Sequence, residues 1–133
     1  MDRLFLDANV LFSASYHSNA GLLRFWKLKG VILCSSRYAL EEARINLSED
    51  LQRRRLTKLA GNIQFFDATP RQRPSAISLP EKDWPIFFAA MEAHATHLIS
   101  GDVRHFGPYF GKTIEGILIV RPSQYLKTRQ PSP

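Results

Sequence analysis

Two aspartates stand at the ends of short apolar runs, and this placement is the first chemical signal in the chain. Asp7 follows Leu4-Phe5-Leu6, and Asp102 follows Leu98-Ile99-Ser100-Gly101. If both runs are strands of a parallel sheet, the two carboxylates lie at its carboxyl edge, where ligands bind in open α/β sheets. A partly buried carboxylate needs a compensating charge. Either a basic side chain or a divalent cation shared by several carboxylates would supply it.

Two more acidic positions could join this pair. Asp83 opens an apolar helical segment, where a carboxylate could equally cap the helix and complement its dipole. Glu42 lies on a predicted helix and, with residues placed about 100° apart, is nearer to the apolar arc than Glu41 is. That arc consists of Ala39, Leu40, Ala43 and Leu47. The pattern therefore favours Glu41 as the solvated glutamate and leaves Glu42 as the candidate for the site, although either could be a surface charge.

The elements that must position these acids alternate between short apolar runs and amphipathic segments. The predicted strands cover residues 3–6, 31–34, 63–66, 97–100 and 116–120. The predicted helices cover residues 9–16, 20–29, 37–47, 48–60 and 83–95. This alternation predicts a three-layer α/β/α sandwich with a central, mostly parallel five-stranded sheet. We expect a single domain over residues 1–127 and a flexible C-terminal tail over residues 128–133.

Charge and composition narrow the class of partner. The 133 residues include 18 Lys and Arg against 12 Asp and Glu, which gives a net charge of +6. This surplus favours a polyanion such as RNA, because neutralising phosphates releases condensed counterions. A partner rich in acidic residues is the other interpretation. The N-terminus has no apolar segment of signal-peptide length, and the apolar stretch 84–99 is too short for a bilayer. We therefore expect a cytoplasmic protein without a membrane partner.

Four short segments carry a resemblance to a known family. Residues 6–13 read leucine, aspartate, a small residue, asparagine, three apolar residues and then serine, and residues 40–47 place Glu42 five positions before a closing leucine. In residues 83–90 an aspartate opens an Ala-rich apolar helix, and residues 98–106 carry Ser100-Gly101-Asp102. Together they resemble the motifs of the PIN-domain ribonucleases, with serine where threonine is more usual in the fourth. The resemblance covers residues 3 to about 120.

The resemblance implies an RNA-cleaving enzyme that uses one or two Mg²⁺ or Mn²⁺ ions, an endonuclease rather than an exonuclease. These hard cations prefer oxygen ligands and keep several waters, so carboxylates without a Cys or His cluster suit them better than zinc. The resemblance implies that Asp7, Asp83 and Asp102 are metal ligands. Glu42 would be a further ligand or the residue that orients the attacking water, which makes all four catalytic.

Other residues receive supporting assignments. Asn9 and Ser13 are expected to support Asp7 by hydrogen bonds, although Asn9 could equally cap the following helix, and Ser100 is expected to support Asp102. A basic run on a predicted helix is either a solvated face or a substrate-binding surface that guides RNA. That run is Arg53, Arg54 and Arg55. For His105, ordinary packing is the favoured interpretation.

Small stand-alone members of the resembled family are often VapC-like toxins of toxin–antitoxin pairs, commonly homodimers that an antitoxin inhibits. The short chain fits this role, and the resemblance implies an antitoxin partner and a homodimer. A housekeeping role in RNA processing fits the chemistry equally well.

Three other classes compete with the nuclease interpretation. A phosphoacceptor receiver domain would need a further acidic pair at the first strand, where this chain has Asp7 only. A haloacid-dehalogenase-like phosphatase would need an aspartate where Asn9 stands. A non-catalytic PIN scaffold that binds RNA or protein would not need all four acids.

Overall fold

A six-stranded sheet forms the middle of the computed structural model, which describes residues 1–129. The strands are β1 (Asp2–Leu6), β2 (Val31–Ser35), β3 (Gln64–Phe65), β4 (His97–Ile99), β5 (Thr113–Ile114) and β6 (Ile117–Val120). Their order is β3-β2-β1-β4-β6-β5, and each neighbouring pair is parallel except β5 with β6. This confirms the predicted mostly parallel α/β class.

Helices flank this sheet and fill the connections between the strands. They are α1 (Ala8–Tyr16), α2 (Arg37–Asn46), α3 (Asp50–Ala60), α4 (Trp84–Glu92) and α5 (Pro122–Thr128). Shorter 3₁₀ helices cover Gly21–Lys27, Glu81–Asp83 and Gly107–Tyr109. Among residues 1–129, no helix is long and apolar enough to cross a membrane.

Two expectations about the elements need correction. The sheet has six strands rather than five, because β5 pairs with β6 through a turn at Glu115 (φ 53°) and Gly116 (φ 77°). Positive φ at both central residues is typical of a tight hairpin turn. Strand β5 was missed because two residues are too few to show the alternation of apolar and polar side chains that indicates a strand. Within the segment 20–29, Gly21–Lys27 form a 3₁₀ helix rather than the expected α-helix. Helix α5 was not among the expected elements and reaches one residue into the expected tail of residues 128–133, of which residues 130–133 lie outside the described residues.

The central strands explain why the acids can meet. Both β1 and β4 are buried: Leu4, Phe5, Leu6, Leu98 and Ile99 are all 0% exposed. Strands covered on both faces are expected to be apolar along their whole length. The backbone N–H of Asp7 donates to the carbonyl of Ile99 at 3.0 Å, which extends the β1–β4 pairing to the carboxyl edge. The polar residues that follow each strand therefore emerge side by side.

Candidate functional site

The four acids indicated by the sequence line one cavity of about 380 Å³ at the carboxyl edge of the sheet. β2 lies on one side of β1 and β4 on the other, so this edge is the switch point at which a crevice opens. Asp7 follows β1, Asp102 follows β4, Glu42 lies on α2 and Asp83 precedes α4. The remaining lining residues are Ala8, Asn9, Phe12, Ala43, Asn46 and Lys82.

Asp7 has the most enclosed carboxylate of the four, with 5% of the residue exposed. Its Oδ1 accepts a hydrogen bond from the backbone N–H of Ala8 at 2.7 Å. Its Oδ2 accepts from Asn9 Nδ2 at 3.0 Å and from Ser100 Oγ at 2.7 Å. The pKa of Asp7 is nevertheless raised to about 6, chiefly by burial and to a lesser degree by the negative charge of Asp83, against the hydrogen bonds that lower it. A cation beside this carboxylate would offset its desolvation.

Asn9 and Ser100 join the two strand ends. The Oδ1 of Asn9 accepts from the backbone N–H of Gly101 at 2.7 Å, so its amide spans from β1 to the turn after β4. Ser100 Oγ donates to Asp7 and accepts from the backbone N–H of Asp102 at 3.1 Å. Asn9 therefore supports Asp7 as expected and does not cap α1, whose N-cap residue is Asp7 itself. Ser100 contacts both aspartates rather than Asp102 alone.

Asp83 and Asp102 converge on one histidine. His105 Nδ1 lies 2.9 Å from Asp83 Oδ2 and 3.0 Å from Asp102 Oδ2. Asp83 Oδ2 and His105 Nδ1 are buried, yet neither has a partner in good hydrogen-bond geometry within residues 1–129. Burial raises the pKa of Asp83, while the positive charge of His105 lowers it and the negative charge of Asp102 raises it. The carboxylate of Asp83 makes no capping hydrogen bond to α4, so the capping role is not realised.

His105 is the residue that sequence reasoning missed, because ordinary packing was the favoured interpretation. One local signal could have found it. The backbone N–H of His105 donates to Asp102 Oδ1 at 3.0 Å, a turn in which an aspartate binds the main chain three residues on. Such a turn brings the imidazole back over the aspartate. Lys82, immediately before Asp83, also lines the cavity and brings the other nearby cationic side chain.

Glu42 and its neighbour Glu41 face different surroundings. Glu42 is half-buried and lines the acidic cavity. Glu41 is exposed and forms an ion pair with Arg44 one turn later on α2. The pKa of Tyr38, on the same helix, is raised first by burial and then by the negative charge of Glu42. The structure thus places Glu42 with the three aspartates and leaves Glu41 on the outer face of the helix.

Four of the predicted site residues lie elsewhere. Ser13 is exposed and lines a neighbouring apolar cavity, so the structure does not bring it to Asp7. Arg53, Arg54 and Arg55 on α3 do not line the acidic cavity. Arg55 donates instead to the carbonyls of Ser15 and Tyr16, at 2.8 and 2.9 Å, and so holds the C-terminal end of α1.

The donor set fits a hard divalent cation. One ligand atom from each of Asp83, Asp102 and His105 lies within 4.8 Å of the others, and two of these residues carry buried polar atoms without a well-aligned partner. Asp7 adds a buried carboxylate and Glu42 a half-buried one in the same cavity. Carboxylate oxygens with at most one imidazole suit Mg²⁺ or Mn²⁺.

Comparison with known proteins supports the fold. No family model matches the chain, and no curated protein matches its sequence. Among solved structures, the chain superposes on a chain of VapBC2 from Rickettsia felis, in a crystal structure bound to a DNA fragment from their promoter. The TM-score is 0.62, and the match covers 90% of this chain and 98% of the other at 13% identity. At this identity the likeness establishes the fold alone. The chain is therefore similar in fold to a chain of the VapBC2 complex.

Proposed function

We propose that this protein is a ribonuclease that hydrolyses RNA phosphodiester bonds with Mg²⁺ or Mn²⁺ at the acidic cavity. The observation that carries the proposal is the gathering of Asp7, Glu42, Asp83 and Asp102 at the switch point of a mostly parallel sheet. Four carboxylates in one cavity repel each other unless a cation is bound between them. The net charge of +6 over the whole chain suits a polyanionic substrate despite this acidic site.

The side chains have distinct roles in this proposal. Asp7, Asp83 and Asp102 hold the metal, directly or through water, and Asn9 and Ser100 keep the carboxylate of Asp7 in one orientation. Glu42 is a further ligand or orients the attacking water from its position on α2. A bound divalent ion would lower the pKa of a water molecule and stabilise negative charge on the phosphate oxygens.

The cellular role that we propose is that of the toxin in a toxin–antitoxin pair. Two observations support it: the resemblance of the four acidic segments to PIN-domain ribonucleases, and the shared fold with a chain of the VapBC2 complex. On this proposal the protein is cytoplasmic, forms a homodimer and binds an antitoxin protein. Growth arrest on induced expression, relieved by Asp7→Asn or by the product of an adjacent small reading frame, tests it. Normal growth with abundant soluble protein would contradict it.

Cleavage of RNA with and without EDTA tests the activity. We expect the parent protein to cut a panel of RNAs with Mn²⁺ or Mg²⁺, and EDTA to stop cleavage. Asp7→Asn and Asp102→Asn should be inactive, whereas the exposed control Asp67→Asn should cleave like the parent. A circular single-stranded RNA separates the two modes, because an endonuclease opens it and an exonuclease does not. Retained RNA binding with no cleavage under any condition would favour a non-catalytic RNA-binding scaffold instead.

A further inference from the structure

A second cavity, of about 400 Å³, adjoins the acidic one and shares Phe12 as a wall. We call it the aromatic cleft; its lining consists of Phe12, Ser13, Tyr16, His17, Ala20, Gly21 and Leu22. Along α1, Asn9, Phe12 and Tyr16 are spaced by three and four residues, so they follow one face of the helix. This face leads directly from the carboxylate of Asp7 to the cleft.

The rings in the cleft are available to a ligand. The centroids of Phe12 and Tyr16 are 5.4 Å apart with their planes tilted by 43°, and Tyr16 meets His17 edge-on at 4.8 Å. Tyr16 is 44% exposed although it is a large aromatic side chain. The tilt leaves the two ring faces as adjacent walls rather than as a closed stack. Exposed aromatic faces beside a nuclease site are suited to stacking with bases.

A positive charge lies at the same end of α1. Arg55 uses Nε and Nη2 to bind the carbonyls of Ser15 and Tyr16, which holds its guanidinium at the backbone of Tyr16, a residue that lines the cleft, although Arg55 itself does not line it. Two of the N–H groups of an arginine fork are used in this way, out of the five that the group carries. A cation next to aromatic rings matches a nucleotide, whose base is flat and whose phosphate is negative.

We propose that the aromatic cleft binds one unpaired nucleobase of a single-stranded RNA whose backbone passes through the acidic cavity. The base stacks on Phe12 and Tyr16, and Arg55 contacts a flanking phosphate. This inference rests on the proposed function and deepens it, because it defines the substrate as RNA with an unpaired base near the cut. Every base has a π-face, so the cleft selects for an unpaired base more than for its identity.

Gly21 provides a way to block the cleft without touching its aromatic walls. A Cβ built on Gly21 meets no atom within 4 Å, and its φ lies outside the left-handed region, so a side chain is accommodated without strain. Gly21→Leu should therefore fold normally and occupy the space of the base. Gly21→Ala is its matched control, because one methyl group leaves most of the cavity open.

The experiment measures binding of a short fluorescent single-stranded RNA by polarisation with Ca²⁺ in place of Mg²⁺ or Mn²⁺, so that a divalent ion still neutralises the acidic cavity. An unchanged RNA length on a gel confirms that no cleavage interferes. We expect Tyr16→Leu and Gly21→Leu to weaken binding by about fivefold or more, the loss of one stacked base. Tyr16→Phe and Gly21→Ala should bind like the parent. Each nucleotide of the RNA is then replaced in turn with an abasic one. At one position the abasic RNA should bind the parent more weakly than the intact RNA does, whereas Tyr16→Leu should bind both RNAs equally.

The outcomes separate this inference from the proposed function. If RNA binding by the parent depends on an aromatic side chain at position 16 but the parent never cleaves RNA, the base-binding role of the cleft is supported. The proposed nuclease activity is then contradicted. If the parent cleaves RNA while Tyr16→Leu and Tyr16→Phe bind RNA equally well, the cleft does not bind a base. The proposed nuclease activity would then still be supported. A parent that binds no RNA would overturn the cleft as well. If Tyr16→Leu changes the oligomeric mass and leaves RNA binding unchanged, the cleft is a protein interface and the proposal is wrong.

Discussion

The hydroxyl of Ser100 donates a 2.7 Å hydrogen bond to Oδ2 of Asp7, although the two residues are 93 positions apart in the chain. The bond joins the ends of β1 and β4, the two strands at the centre of the sheet. The same hydroxyl accepts the backbone N–H of Asp102. One buried serine therefore sets the spacing between the two strand-end aspartates of the proposed metal centre.

Asp7 should make the metal-free protein less stable as pH rises through the acidic range. Its pKa is raised from 3.8 to about 6 in the folded protein, so the folded state binds more protons than the unfolded state between these values. By linkage, the free energy of unfolding falls across this window, by on the order of 3 kcal/mol from this group. Below pH 3.8 both states hold the proton, and above about pH 6 the whole penalty applies.

Denaturant unfolding in EDTA from about pH 4 to pH 7 tests this, with Asp7→Asn and Asp67→Asn compared with the parent. Asp7→Asn should remove most of the pH-dependent loss, whereas the exposed Asp67→Asn should retain it. If the free energy of unfolding changes with pH in the same way for the parent and Asp7→Asn, burial does not raise the pKa of Asp7.

Ser100→Ala should extend the pH range over which the metal-free protein loses stability. The hydrogen bond from Ser100 stabilises the ionised form of Asp7, so removing it raises the pKa of Asp7 beyond about 6. The loss of stability with pH should then continue to higher pH, with a cost of about 1–3 kcal/mol for the lost bond to a charged group. The matched control is Ser35→Ala, because Ser35 is equally buried and donates at 2.7 Å to the carbonyl of Leu6. Both variants should be destabilised, and only Ser100→Ala should shift the pH window.

The two adjacent glutamates of α2 should differ in their effect on RNA cleavage. Glu42→Gln removes a charge that lines the cavity, and we expect cleavage with Mn²⁺ to fall by about a hundredfold or more. Glu41→Gln breaks only an exposed ion pair with Arg44, so its rate should stay within about twofold of the parent. Single-turnover rates measure both. Equal rates for the two variants would remove Glu42 from the proposed site.

His105 should matter for metal binding. Its Nδ1 lies within 3.0 Å of the carboxylates of Asp83 and Asp102, so it either binds the metal or fixes the carboxylates that do. We expect His105→Asn to lower Mn²⁺ affinity by about tenfold or more in calorimetric titration. His94→Asn is the control, because His94 is exposed and has a φ of 52°, which asparagine tolerates. Parent-like affinity in His105→Asn would return His105 to a packing role.

Local sequence predicted most of the framework of this protein, and with the resemblance of four short segments to known motifs it also selected the acids that line the candidate site. The apolar runs that precede Asp7 and Asp102 carry their own strand signal. Helix ends also depend on local residue types: in the structure Ser36 is the N-cap of α2 and Gly61 is the C-cap of α3. Helical periodicity together with the position of Glu42 in the second motif favoured Glu42 over Glu41. Such features depend on residues within one or two turns, where backbone preference and periodicity are readable.

Only the tertiary structure decided which side chains meet. His105 reaches Asp83 because the turn after β4 lies against the start of α4, and Ser13 misses Asp7 because it lies a full turn beyond Asn9 along α1, at the neighbouring cavity. Arg55 holds the end of α1 because α3 packs on that helix. These contacts join segments far apart in the chain, and their geometry follows from strand register and helix packing. No local pattern encodes that geometry, since it arises only when the apolar faces are buried together.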